Sequence, residues 1–144
     1  MAPLYYTVTK LYVAFATKVV KMQKFLKTIG QTQLFSGIAQ NDLPAVLDCL
    51  HSQVKDFQKG GTVFRAGDPA EYIGLVLTGA AQVVREDILG NWTILTNLSA
   101  GEMFGETFAC AHINILPVSV LAPGGCTVLL LDFRRLITTC RSAC

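Results

Sequence analysis

Hydrophobic residues recur along this chain with two different periods. Near the N-terminus Leu11, Phe15, Val19, Met22, Leu26 and Ile29 fall at spacings of 4, 4, 3, 4 and 3, which makes one stripe of a helix. Lysines lie largely off that stripe, so the helix is basic and amphipathic, a form able to lie on a membrane surface or a partner. Leu34-Phe35-Ser36-Gly37-Ile38 reads as a docking turn. A second helix runs to about Leu50, with Asn41 as its cap, Asp42 in its first turn and Pro44 early enough to be tolerated. Its buried face is Leu43, Val46, Leu47 and Leu50.

From Val54 the period drops to two. Residues 54–58 and 63–65 read as two short strands about the turn Lys59-Gly60-Gly61. Ala66-Gly67-Asp68-Pro69-Ala70-Glu71 is a second turn, and residues 72–77 form an apolar strand closed by Thr78-Gly79. Strands over 81–86 and 92–98 flank a hairpin turn at Ile88-Leu89-Gly90-Asn91. After the turn 101–106 come a short helix at 107–111, a strand at 118–121, the turn Pro123-Gly124-Gly125 and a last strand at 126–131. Asp132 is placed to cap a helix starting at Phe133. About eight short strands at this spacing, with glycine turns and flanking helices, predict a mainly β fold: a double-stranded β-helix, or jelly roll.

Composition adds three points. The chain has 144 residues, 51% apolar and 15% charged, enough for one domain with a sizeable core and with an apolar excess that a partner or further chain would cover. Charge is uneven: residues 1–30 carry five lysines and no acid, whereas residues 31–144 carry ten acids against seven lysines and arginines. The β region is thus mildly acidic and unsuited to nucleic acid. No apolar run reaches the roughly 18–20 residues of a membrane span, and no clean apolar core precedes a small-residue cleavage site. Reduced cytoplasmic thiols are therefore expected for the five cysteines.

The motifs sharpen the picture. Phe35-Ser36-Gly37, then Gly60-Gly61-Thr62-Val63-Phe64-Arg65-Ala66-Gly67-Asp68, then Leu77-Thr78-Gly79, then Gly101-Glu102-Met103-Phe104-Gly105-Glu106 stand in an order and spacing that resembles a cyclic-nucleotide-binding domain. The chain looks like the N-terminal sensor domain of a bacterial Crp/Fnr-type transcription regulator over roughly residues 31–135. The resemblance implies a jelly roll that binds a small effector, a long helix that forms a homodimer interface, and a C-terminal helix-turn-helix domain that reads DNA. Residues 1–30 would be a basic extension, with 1–21 upstream of a natural start at Met22. Residues 31–132 would be the sensor, and 133–144 the beginning of the dimer helix, with the DNA-binding domain missing.

The resemblance also implies a site at Phe104, Gly105, Glu106, Thr107, Pro117, Val118 and Ser119, with Glu106 accepting from a ribose hydroxyl. In the family an arginine ten residues after this glutamate pairs with the cyclic phosphate, followed by a small hydroxyl residue. Here those positions are Leu116 and Pro117, and the nearest cations in sequence, Arg85 and Arg134, are elsewhere. A charge-assisted bond to a buried phosphate is worth about 1.5–3 kcal/mol, so tight cyclic AMP or cyclic GMP binding is not expected. Glu106 has a structural alternative as well: accepting backbone N–H groups at its own turn.

Two other classes compete. Cys140 and Cys144 are i,i+4 on the expected last helix, and with Cys110 and Cys126 they could ligate an iron–sulfur cluster or form a redox pair. Relatives that carry a cluster use cysteines near the N-terminus, and none here precedes Cys49, which favours inert buried thiols. A cupin-like metalloenzyme would need a His/Glu triad, and His51 and His112 have no partner at metal-ligand spacing. No nucleophile elbow, P-loop or His-Glu-x-x-His is present, so neither catalytic residues nor a metal are expected.

Overall fold

A computed structural model describes residues 21–111 and 113–135. Expectations for residues 1–20, His112, Ile137, Cys140 and Cys144 therefore lie outside the described residues, as does the side chain of Cys110. The described part opens with helix α1 (21–30), a 3-10 turn at Gln33–Phe35 and helix α2 (Leu43–Cys49). Strands β1 (Gln53–Phe57), β2 (Gly61–Phe64), β3 (Tyr72–Glu86), β4 (Trp92–Ser99) and β5 (Met103–Phe104) follow. Helix α3 (Glu106–Cys110), β6 (Ser119–Ala122) and β7 (Cys126–Asp132) complete the fold, and residues 133–135 begin a further helix.

All strands pair antiparallel, in two sheets that share β3. Its first half pairs with β7 and β5, and β7 pairs with β1. Its second half pairs with β4 and β6, and β6 pairs with β2. This is the jelly roll expected from the strand spacing.

The stretch read as two strands divided at Thr78-Gly79 is thus one continuous strand. Opposite β7 the register shifts between Val76 and Thr78, so Leu77 is an extra residue and the chain bends at a bulge. Gly79 follows at φ 77°, and a Cβ on it would stand 2.5 Å from the carbonyl oxygen of Gly125. Here glycine turns the corner between sheets without ending the strand. A second correction concerns β1 and β2, read as a pair about Lys59-Gly60-Gly61. They join different sheets, because Gly60 donates its N–H to Ala122 O and the turn carries the chain across the barrel. At α2 the capping position is Asp42 and not Asn41, and its side chain makes no capping bond. Asp132 does cap: its Oδ1 accepts the Arg134 N–H at 3.0 Å.

Strand β7 is buried along both faces, which explains its unbroken Val128-Leu129-Leu130-Leu131 run. Val128 and Leu130 point into the barrel with Val76, Ala81, Phe104 and Val120. Leu129 and Leu131 point to the other side, against Ile29, Phe35, Leu43 and Leu47. The helices therefore seal one outer face of the barrel. In α1, Met22 and Ile29 are buried and Leu26 packs on the same cluster, so the described part of the apolar stripe faces protein. Lys21 adds a tie, donating from Nζ to Asp56 Oδ2 at 2.8 Å, while Thr127 Oγ1 donates to Asp56 Oδ1 at 2.8 Å. The Lys21 ammonium first, and the Thr127 hydroxyl second, hold the Asp56 carboxyl below the usual carboxylate range.

Candidate functional site

The turn from 101 to 106 is built on backbone bonds to β3. Gly101 donates its N–H to Val76 O at 2.7 Å, and the Val76 N–H donates to Glu102 O at 3.0 Å. The two glutamates of the motif then differ in role. Glu102 Oε2 accepts the Ser99 N–H at 2.6 Å and so closes the turn. Glu106 Oε2 is buried, and no described residue donates to it. That oxygen has no share in the structural role considered above, the acceptance of backbone N–H groups.

Its neighbours are placed by packing. Phe104 is buried, lies over Gly74 and meets Phe64 edge-on with ring centroids 5.1 Å apart. It fills the barrel centre. Gly105 has φ 88°, and a Cβ there would stand 3.0 Å from Tyr72 O, so this turn passes close against β3. Thr107 and Pro117 are exposed, and Val118 is buried. Ser119 Oγ accepts the Ala66 N–H at 2.9 Å, which fastens the loop after β2 to β6.

Position 116 is held firmly and is apolar. Leu116 is 5% exposed; its N–H donates to Asp68 O and its carbonyl accepts the Gly67 N–H, both at 2.9 Å. Pro69 bridges Ile115 in the same zipper. Leu116 thus offers no charge, and Pro117 has no N–H, where the family pattern places its phosphate-binding residues. Of the cations near in sequence, Arg134 Nη2 pairs with Glu71 Oε1 at 3.0 Å and Arg85 stands opposite Thr93 in the β3–β4 ladder.

Two cations that sequence distance hid share a cavity wall with Leu116. A cavity of about 260 Å³ opens where β1, β2 and the start of β3 converge, and Lys55, Arg65 and Leu116 all line it. Arg65 lies inside a motif quoted for the resemblance, but nothing in the pattern distinguished it from an ordinary turn residue. Lys55 was legible only as part of a strand.

The thiols split differently. Cys126 is buried at the Gly79–Gly125 corner, and burial pushes its thiol up, toward the protonated and unreactive form. Cys49 is exposed. Among the described residues no three His, Cys, Asp or Glu side chains gather as a metal site, and no helix is long and apolar enough to cross a membrane.

The family model for the cyclic nucleotide-binding domain matches residues 54–142. Over 73 residues the chain is 32% identical to the CRP-like cAMP-activated global transcriptional regulator of Mycobacterium tuberculosis, covering 49% of this chain and 33% of that protein. The matched stretch thus spans about a third of that relative's length. Among solved structures, the sensor domain of the transcriptional regulator DNR from Pseudomonas aeruginosa superposes with TM-score 0.75 at 17% identity, covering 84% of this chain and 79% of that one. The regulatory subunit of a cAMP-independent protein kinase A from Trypanosoma cruzi, bound to guanosine, superposes with TM-score 0.69 at 14% identity, covering 87% and 43%. At such identities the last two likenesses are of fold alone.

Proposed function

The chain belongs to the cyclic nucleotide-binding domain family, and from that premise we propose that it is the effector-sensing domain of a Crp/Fnr-type transcription regulator. Its effector is a small hydroxylated molecule that carries no phosphate at position 116. The observation that carries this reading is the buried, unpaired Oε2 of Glu106 at the Gly105-Glu106 turn. A buried carboxylate oxygen without a donor is costly, and a ligand hydroxyl removes that cost. Leu116 and Pro117 supply neither a cation nor an N–H to a phosphate beside Glu106, which supports a nucleoside-like ligand over a cyclic nucleotide at this turn. The trypanosomal regulatory subunit, similar in fold over 43% of its length, has guanosine bound, which is in keeping with this reading. In a whole regulator, occupancy would bias a dimer helix and through it a DNA-binding domain; this chain would be non-catalytic and would meet DNA only through that domain.

Isothermal titration of the 144-residue chain with guanosine, adenosine, cyclic AMP and cyclic GMP tests this. A nucleoside should bind at least as tightly as its cyclic phosphate. Glu106→Gln should weaken it roughly ten- to 150-fold, the worth of a hydrogen bond to a charged acceptor. Tight cyclic AMP binding with silent nucleosides, or binding indifferent to Glu106→Gln, would remove the reading.

A redox reading on the same fold has less support. Cys126 is buried with a raised thiol, which does not suit a reactive partner; the side chains of Cys110, Cys140 and Cys144 lie outside the described residues.

A further inference from the structure

The cavity beside Leu116 carries charge that the fold does not use. It lies at a seam: β1 is the outer strand of one sheet, β2 the outer strand of the other, and no ladder joins them. Its floor is apolar, formed by Phe64, Leu116 and Leu130. Lys55 reaches it because period two along β1 puts residue 55 on the side of Phe57, whose ring packs against the barrel-interior cluster, while Val54 packs against the helices. Arg65 reaches it from the end of β2, opposite.

Among the described residues neither Lys55 nor Arg65 has an ion-pair partner, whereas Lys21 and Arg134 each have one. Two acids share the wall. Glu71 is already paired with Arg134, which leaves Asp68 against two cations. The Asp68 backbone is tied down by the Leu116 zipper, and the residue is exposed. An inward-facing lysine on an outer strand also discourages edge-to-edge pairing. That role needs no arginine across from it, and no cavity between the two.

We propose that this seam is an anion-binding site, separate from the Glu106 turn, which takes the phosphate or carboxylate group of a small organic molecule. The anionic group sits between the Lys55 ammonium and the Arg65 guanidinium, which suits it to two parallel hydrogen bonds. The apolar floor accepts the carbon skeleton, and Asp68 accepts from a hydroxyl or amino group at the rim. Glu106 does not line this cavity. Phe64 and Tyr72 of its wall also lie against Gly105, so the Glu106→Gln control below is what separates the two sites.

The test is a titration of the isotopically labelled 144-residue chain with inorganic phosphate, and in a second arm with acetate, followed by amide resonances at constant ionic strength against sodium chloride. Residues 63–68 and 116 should shift saturably with at least one of the two anions. Arg65→Ala and Lys55→Ala should each weaken that binding at least tenfold, and Arg65→Lys should retain part of it. Both residues are exposed, so the same spectra report whether the variants stay folded. Glu106→Gln should leave the anion response unchanged. The proposal is overturned if neither anion acts beyond chloride, if Arg65→Ala binds as well as the parent, or if Glu106→Gln abolishes the response and so merges the two sites.

Discussion

Replacing Gly74 by alanine should damage the barrel centre and the Gly105-Glu106 turn together. Gly74 lies on β3 opposite Leu130 and Phe104, and a Cβ on it would stand 2.0, 2.3 and 2.6 Å from three ring carbons of Phe104. Carbon atoms in contact sit about 3.5–4.0 Å apart, so the ring must retreat by well over an ångström. It has nowhere easy to go, being 4% exposed and held edge-on by Phe64. Overpacking of this kind costs about 1–3 kcal/mol, and the stiffer unfolded chain of an alanine variant returns only about 0.4–1 kcal/mol. We expect a net loss of about 1–2 kcal/mol, which for a domain of this size lowers Tm by roughly 3–8 °C. Urea and thermal unfolding followed by circular dichroism give both numbers. The decisive control is the same change in a Phe104→Ala background. With the ring gone, Gly74→Ala should cost nothing or stabilise slightly, a coupling of about 1–3 kcal/mol. Equal costs in both backgrounds would refute the packing argument, as would a single-variant cost under about 0.5 kcal/mol. Because Phe104 directly precedes Gly105 and Glu106, Gly74→Ala should also weaken any ligand that Glu106→Gln weakens.

Two further outcomes follow from the same structure. Gly79→Ala combines a left-handed backbone at φ 77° with a Cβ 2.5 Å from a carbonyl oxygen that belongs to backbone and cannot swing aside. It should cost about 2 kcal/mol or more in urea unfolding, and a cost near zero would show that the corner between the sheets is soft. Asp56→Asn should remove only about 0.2–1 kcal/mol, because the Lys21–Asp56 pair is about half exposed and screened by salt. The folded-state pKa of Asp56 is depressed, so its contribution is present above the ordinary carboxylate pKa of about 4 and is lost as pH falls through the depressed value. Parent and variant should therefore differ at pH 7 in low salt and converge on acidification, and a gap that widened toward acid would contradict the assignment.

Much of the fold was legible because its signals are local. Alternation of apolar residues marked the strands, Asp132 announced a helix start, and the hairpin turn expected at 88–91 is present, closed by bonds from Leu89 and Asn91 to the Asp87 carboxylate. The misread places have one feature in common. Thr78-Gly79 looked like a turn and Lys59-Gly60-Gly61 like a hairpin, because a glycine announces unusual backbone without saying whether the strand ends, bulges or changes sheets. That choice depends on Gly125 and Ala122, far along the chain.

The site divides in the same way. The chain's order of residues was enough to identify the Gly105-Glu106 turn and the absence of an arginine at 116, since both are matters of residue type at a spacing. It could not tell that Glu102 spends its carboxylate on Ser99 while Glu106 Oε2 finds no donor, or that Ser119 is bound to Ala66. Nor could it bring Lys55 and Arg65 to the wall shared with Leu116. Hydrogen bonds and charges act over a few ångströms of space, and the antiparallel sheets decide which distant residues come within that range.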